Sequence, residues 1–306
     1  MSSDVLGLVV VGVGLAGKFR IKDILKEATS EKPFLKNVKL VGYVSRRQVE
    51  VEGAQPLTME EALARSDVHA LLICTENEHH ERLARQAIEA GKHVLVEYPL
   101  ALTVDGAKSL FSLAQEKGVI CYEEDILLVL DGHLKLKEQV KEKGLKSFQR
   151  TVIGKPNGWI EDIQRSGNPF VSGISSIQAA IDLCGDVTAT AASFDVKGPK
   201  HWNAVGKMTG PNKESLTIEF GRDPEIVGRN TSYSVTLGDD TVLDDKNFPL
   251  FGAPDPTKPG LFLVDLMIFV SLIRGETEIK KYQTMTLKGL EVAEKLFTLT
   301  SATGNK

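Results

Sequence analysis

Residues 6–17, LGLVVVGVGLAG, constrain the fold of this chain more than any other stretch. An unbroken apolar, β-branched run reads as a strand covered on both faces. It ends in Gly12, Gly14 and Gly17, spaced G-x-G-x-x-G, where an amphipathic segment begins. Each glycine has its own physical task. The first permits a tight turn, the second lets a diphosphate approach the backbone, and the third lets the next helix lie close on the strand. The helix N-terminus adds free amide donors and a favourable dipole. Glycines also make ordinary turns, so the meaning of this loop depends on its place in the first unit of an alternating strand–helix series. Gly12, Val13, Gly14, Leu15, Ala16 and Gly17 are therefore expected to bind a dinucleotide.

The series continues regularly. VKLVGYVS, VHALLICT, KHVLVEYP and VICYEE read as four further buried strands, separated by helical patterns such as HHERLARQAIEAG and TVDGAKSLFSLAQEKG. TMEEALAR starts as a capped helix, with Glu61 three residues after Thr58. Such alternation predicts a doubly wound parallel sheet with right-handed crossovers. Beyond residue 128 the pattern changes. After a helix at 130–144, the pieces KSFQRTVIG, TATAASFDV, ESLTIEFG and TSYSVTLGDD show the partial alternation of a mainly antiparallel sheet with one solvated or ligand-facing side. Helical stretches at 261–275 and 286–302 close the chain. The expected architecture is α/β: a Rossmann domain over 1–128, then an α+β domain with a large open sheet over 129–306, with the C-terminal helices packing back.

Composition narrows the function classes. A chain of 306 residues supplies two cores of ordinary size. Its net charge of −4 argues against nucleic acid as a partner. Cys74, Cys121 and Cys184 are scattered without zinc spacing and read as thiols of a reducing compartment. The first 20 residues have no basic leader, and glycines interrupt their apolar run, so neither a secretion signal nor a membrane span is expected. These features point to a cytoplasmic protein.

The end of the second strand selects between cofactors. An acidic residue there would hold the ribose 2′-hydroxyl of NAD. This chain has Ser45, Arg46 and Arg47, two guanidinium groups and a hydroxyl suited to a 2′-phosphate. NADPH is the expected cofactor, with NADH bound less tightly; the other reading is a solvated basic turn. Thr75, Asn77 and His80, at the end of the third strand, are expected beside the cofactor. The run ENEHH at 76–80 is not read as a metal site, because adjacent histidines diverge on a helix and Glu78 and His79 are not expected to converge. No nucleophile-elbow sequence supports a hydrolase.

With the glycine loop, VSRR and AGKHVLVEYPLAL in place, the N-terminal half resembles the glucose–fructose oxidoreductase/inositol dehydrogenase family. In many members the fourth strand ends in glutamate–lysine–proline, the lysine being the catalytic acid/base; here the tripeptide is Glu97-Tyr98-Pro99. The tyrosine version resembles the bilin-reducing branch of the family. YEED at 122–125, GNPFVSGIS at 167–175 and GRDPEIVGRN at 221–230 extend the likeness over most of the chain. The resemblance implies NAD(P)H-dependent reduction of biliverdin to bilirubin, with hydride moving to the central bridging carbon of the open-chain tetrapyrrole and a proton to a pyrrole nitrogen.

It further implies that Glu97 faces the nicotinamide and that Tyr98 positions the substrate or hydrogen-bonds it. Glu97, Glu123 and Glu124 would shape the proton environment, since carboxyls crowded beside an apolar ligand have raised pKa values; simple N-capping and exposure is the other reading for Glu124. On the substrate side stand Arg165, available for a propionate, with Ser172 and Ser176. Three positions depart from the animal members of the branch, which carry arginine at Ser176, glutamate at Leu127 and histidine at Asp125. These departures keep open an NADP(H)-binding redox sensor without turnover. A sugar or cyclitol oxidoreductase is a further alternative, against which the missing lysine argues. The branch favours a monomer.

Overall fold

A computed structural model of the chain describes residues 5–156, 158–198, 200–251, 255 and 257–303; residues 1–4, part of the leader reading, lie outside them. The chain forms two compact units, Met1–Ala101, Asp105–Ile126 and Asp255–Thr284 making the first, Leu102–Val104, Leu127–Pro254 and Met285–Lys306 the second.

The first unit alternates as its sequence pattern predicts: β1 (Leu6–Val11), α1 (Leu15–Thr29), β2 (Val38–Val44), β3 (Pro56–Leu57), α2 (Met59–Ala64), β4 (Ala70–Ile73), α3 (His80–Glu89), β5 (His93–Val96), α4 (Val104–Lys117) and β6 (Cys121–Glu123). The strands lie in the order β3-β2-β1-β4-β5-β6, and every neighbouring pair is parallel. The order reverses beside β1, the switch point at which such sheets open a crevice beyond the strand carboxyl ends. All four residues of β4 are buried, as a strand covered on both faces requires. The expected capping box of α2 forms: Thr58 Oγ1 accepts from Glu61 N (3.1 Å) and Glu61 Oε2 accepts from Thr58 N (2.7 Å). α1 ends at Thr29. β3 has only two residues, too few for a periodicity.

The second unit runs through α5 (Asp131–Lys143), β7 (Leu145–Gly154), α6 (Ile163–Ser166), α7 (Pro169–Ser172), α8 (Ile174–Cys184), β8 (Thr188–Gly198), β9 (His201–Thr209), β10 (Ser215–Arg222), β11 (Arg229–Leu237) and β12 (Val242–Asp244). Its sheet has the order β12-β11-β7-β10-β9-β8 and is antiparallel except for β7 beside β10. β9 escapes the sequence reading because its buried positions, Trp202, Ala204, Gly206 and Met208, include two of the smallest residues. The smallness is required: a Cβ at Gly206 would lie 2.9 Å from Leu296 and 3.0 Å from Phe170. α8, ISSIQAAIDLC, also escapes it and is buried on nearly every side.

The last two helices are α9 (Leu261–Ile273) and α10 (Lys280–Thr303). α9 groups with the first unit, where Leu266, Phe269 and Val270 join Ile21 and Ile24 of α1 and Leu8, Val10, Leu72 and Leu95 of the sheet in one core. Cys74, Cys121 and Cys184 are free thiols. Among the described residues no helix is long and apolar enough to cross a membrane.

Candidate active site

The glycine loop divides its work as the motif requires. Gly12 has φ +95°, and a Cβ on it would lie 2.5 Å from Cys74 O; a Cβ on Gly17 would lie 2.0 Å from Gly12 O. Around Gly14 a Cβ would meet nothing within 4 Å. The first and third glycines thus serve the chain's own packing, and the second leaves open space above the backbone. α1 begins there with no side-chain cap and no acid in its first turn, so its leading amides remain available to an anion. Val13 is buried, Ala16 half-buried and Leu15 78% exposed. These features fit a dinucleotide diphosphate.

At the end of β2, Ser45 Oγ accepts from Arg47 N (3.2 Å). The Arg46 side chain is 70% exposed and rests on Glu76 (Nη2 to Oε1, 3.0 Å), with Nη1 3.3 Å from His79 Nε2. Exposed ion pairs of this kind contribute about 0–1 kcal/mol, so Arg46 can exchange Glu76 for a phosphate at little cost. An open hollow of about 850 Å³ is lined by Tyr43, Ser45, Arg46, Arg47, Val51 and Leu57, among others.

The loop after β4 corrects one geometric expectation. Glu78 and His79 do converge: on the 3₁₀ turn Asn77–His79 the histidine Nε2 lies 3.7 Å from Glu78 Oε1 and 3.8 Å from Glu76 Oε2. A 3₁₀ turn aligns side chains three residues apart, which brings His79 over Glu76. Thr75 is half-buried and Asn77 buried. His80 points inward and is fully buried, its Nδ1 2.8 Å from Pro99 O and its Nε2 3.1 Å from Thr75 O. Burial lowers its pKa, so the ring is neutral and donates to one of these carbonyls. The ring thereby sits between the Thr75 turn and the turn that follows β5.

That second turn carries Glu97 and a half-buried Tyr98, followed by a cis peptide to Pro99. Glu97 folds back on the first unit: Arg20 Nε donates to its Oε1 at 2.7 Å, and Cys74 Sγ lies 3.8 Å from the same oxygen. Arg20 Nη2 donates to Asp265 Oδ2 at 2.7 Å, and Tyr122 OH donates to Asp265 Oδ1 at 2.8 Å. Neighbours in sequence, Glu123 and Glu124 take different partners, β6 ending at Glu123. Glu123 Oε1 accepts from Leu100 N (2.8 Å) and pins the Pro99–Leu100 turn. Glu124 Oε1 accepts from Ile126 N (2.6 Å), so the capping reading holds, but its side chain is buried rather than exposed. Burial first, then the charges of Glu97 and Asp265, push Glu124 well above the ordinary carboxylate range. Burial also raises Asp265, opposed by Arg20. With two donors on Asp265 and one backbone amide on Glu124, we assign the cluster's proton to Glu124.

In the second unit, Arg165 lies half-buried on α6 and Ser172 half-buried at the end of α7. Asn168 caps α7, its Oδ1 accepting from Phe170 N (3.0 Å) and Val171 N (3.1 Å). Ser176 is buried on α8 and accepts from Arg150 Nε of β7 at 3.1 Å, so a guanidinium reaches the place of the absent arginine from another element. Sequence reasoning missed Arg20, Asp265 and Tyr122. The signal was present, an arginine on the buried stripe of α1 and a lone acid in the apolar run of α9.

Residues 6–124 match the model of the oxidoreductase family with an NAD-binding Rossmann fold, GFO/IDH/MocA. Over 294 residues the chain is 31% identical to human biliverdin reductase A, covering 95% of this chain and 94% of that protein. The mouse biliverdin reductase A is 33% identical over 272 residues, 88% of this chain and 86% of that one. The crystal structure of a Synechocystis biliverdin reductase with biliverdin and NADP+ superposes with a TM-score of 0.81 over 97% of this chain and 99% of that one, at 21% identity, and so shares the fold. The dinucleotide loop, the strand order and an end-to-end likeness that takes in both units agree: the chain belongs to the GFO/IDH/MocA oxidoreductase family and is an NAD(P)-dependent oxidoreductase.

Proposed function

We propose that this oxidoreductase reduces biliverdin to bilirubin with NADPH. The observation that carries the reading is the identity with biliverdin reductase A through 95% of the chain, far beyond the dinucleotide fold. Tyr98 in place of the family's usual lysine supports it: a flat, amphipathic ring at the mouth of β5 suits an extended pigment better than a sugar.

Bound NADPH supplies the hydride for the central bridging carbon. Gly14 and the uncapped start of α1 hold the diphosphate, and Ser45, Arg46 and Arg47 take the 2′-phosphate. Tyr98 packs against the substrate and offers its hydroxyl. Glu124, whose protonated form persists to higher pH than that of an exposed glutamate, is the store from which a pyrrole nitrogen is protonated, with Glu97 as the cluster member nearest solvent. In the second unit the proposal extends to Arg165, Ser172 and Ser176 as substrate contacts.

The test is to mix purified protein with biliverdin and NADPH and follow green pigment turning yellow. Conversion with one NADPH consumed per pigment is the expected result. NADPH binding without colour change, even at high enzyme concentration, overturns the substrate assignment and leaves the sensor reading standing.

A further inference from the structure

We propose that Arg20 and Asp265 are positioning residues: anchored by Asp265, the Arg20 guanidinium fixes the orientation of the Glu97 carboxylate at the mouth of β5. The proposal rests on the reading of that mouth as the reaction site, and adds two residues to which neither the glycine motif nor the Glu97-Tyr98-Pro99 turn assigns a task.

The geometry is a chain of four side chains, three from α1, β6 and α9 and the fourth from the turn after β5. Tyr122 OH (β6) donates to one oxygen of Asp265 (α9), whose other oxygen takes Arg20 Nη2 (α1), and Arg20 Nε holds Glu97 after β5. Two different nitrogens of one rigid plane grip the two acids, which a single ammonium point cannot reproduce. The Phe262 ring lies 5.2 Å from the guanidinium and stacks in turn on Phe19, so the plane is packed as well as bonded. Arg20 stands three residues after Gly17, on the helix whose N-terminus meets the dinucleotide.

Energetics argue that the cluster is not there for stability. Burying an ion costs several kcal/mol, and apolar side chains of similar volume commonly replace a buried ion pair without loss. Here one cation serves three acids. Among the described residues, Arg20 Nη1 and Glu124 Oε2 are buried with no hydrogen-bond partner, and each such group costs about 1–3 kcal/mol. The Arg20 and Asp265 side chains are fully buried, while Glu97 keeps 15% of its surface exposed, so the network reaches outward through Glu97. Local rules broken without a stabilising return are the mark of a functional site. The charged and titratable groups facing Glu97 are Arg20, Cys74, Glu124 and Asp265, with Tyr122 on Asp265 and Asp125 near Tyr122.

The test uses Asp265→Asn and Tyr122→Phe in the full chain, read by thermal melting, the emission of bound NADPH, and kcat, KM and their pH dependence with biliverdin. Tyr122→Phe keeps the ring that packs on Phe269 and Tyr282, and it carries the test if Asp265→Asn does not fold. The expected results are an NADPH Kd within threefold of wild type, an altered emission of the bound nicotinamide in both variants, and a kcat lowered about tenfold by Asp265→Asn and threefold by Tyr122→Phe. Removing the Asp265 charge lowers the proton affinity of its neighbours, so the alkaline limb of kcat should move to lower pH. If folded variants keep wild-type emission and an unmoved limb, the positioning claim is overturned, whatever happens to the absolute rate. If wild type does not turn over biliverdin while the variants still change the emission, the substrate reading fails and the positioning stands.

Discussion

Gly14 and Gly17 lie three residues apart in one loop, yet replacing each with alanine should break different things. At Gly17 the new Cβ would sit 2.0 Å from the Gly12 carbonyl oxygen, about 1.4 Å inside ordinary contact, and the obstacle is backbone that cannot swing away. Alanine regains about 1 kcal/mol of helix propensity. Overpacking of a tight interior contact costs about 1–3 kcal/mol, and a backbone clash belongs at or beyond the upper end. The net loss is about 2 kcal/mol, which lowers the melting temperature by about 5 °C in a unit of this size. Gly14 has φ −82° and ψ −158°, open to any residue, and no atom within 4 Å of a Cβ. Its alanine variant should melt within about 4 °C of wild type, because alanine is a poorer N-cap than glycine by about 0.5–1 kcal/mol. The methyl group instead occupies the space a diphosphate needs, and NADPH should bind at least tenfold more weakly, a loss of about 1.4 kcal/mol or more. Differential scanning fluorimetry with and without NADPH, together with titration of NADPH fluorescence, measures both quantities. A Gly14→Ala protein that folds normally and binds NADPH as wild type does would show that the diphosphate does not lie on this loop.

Three further outcomes can be checked with the same reagents. Replacing Arg46 and Arg47 together with alanine should weaken NADPH about 10- to 100-fold and NADH less than about threefold, from the loss of one or two charge-assisted hydrogen bonds; an equal effect on the two cofactors refutes a phosphate-reading role. Burial lowers the pKa of His93 from 6.5 to about 4, and its Nδ1 accepts from Ile120 N (2.9 Å). The unfolded chain therefore takes up this proton before the folded one, and stability present above pH 6.5 should fall away towards pH 4, by up to about 2 kcal/mol after discounting for partial exposure. Urea unfolding at pH 7 and pH 4.5 should show a smaller difference for His93→Gln than for wild type; an equal difference removes His93 as a cause. Tyr98→Phe should lower biliverdin turnover only two- to fivefold, as for a ring that positions its ligand, and complete loss with normal NADPH binding would make the hydroxyl obligatory.

The parallel half of the fold was legible because a strand covered on both faces needs an unbroken apolar run, and four such runs recur after β1 at helix-length intervals. The open sheet was harder to see. β9 buries Ala204 and Gly206 because Phe170 and Leu296 already fill the space beneath it, so its inward residues carry little hydrophobic signal. α8 shows the opposite extreme: it is short, and Ile174, Ile177, Ala180 and Ile181 stand among buried residues on nearly every side. Glu76, Glu78 and His79 gather against expectation because their turn is 3₁₀, to which α-helical spacing does not apply.

The site was legible in proportion to how local each interaction is. Gly12, Gly14 and Gly17 act within one loop, and their spacing alone carries their meaning. Arg20 and Asp265 meet across 245 residues of sequence, and no local pattern could have paired them. Each was nonetheless visible as an anomaly: Arg20 shares the buried stripe of α1 with Gly17, Ile21 and Ile24, and Asp265 is the one charged residue in LFLVDLMIFVSLI. A charge placed where periodicity demands an apolar side chain must find a partner inside the fold, because an unpaired buried ion would unfold a marginally stable chain. Arg20 and Asp265, anomalies of opposite sign, are thus mutual candidates for a buried pair, although Glu27 on the same stripe of α1 is a second acid the pattern offers. The same reasoning separates Glu123 from Glu124. Glu123, the last residue of β6, is pinned to the Leu100 amide, whereas Glu124, just past the strand, is buried among Glu97, Asp265 and Arg20, where burial and like charge hold its carboxyl above the ordinary range.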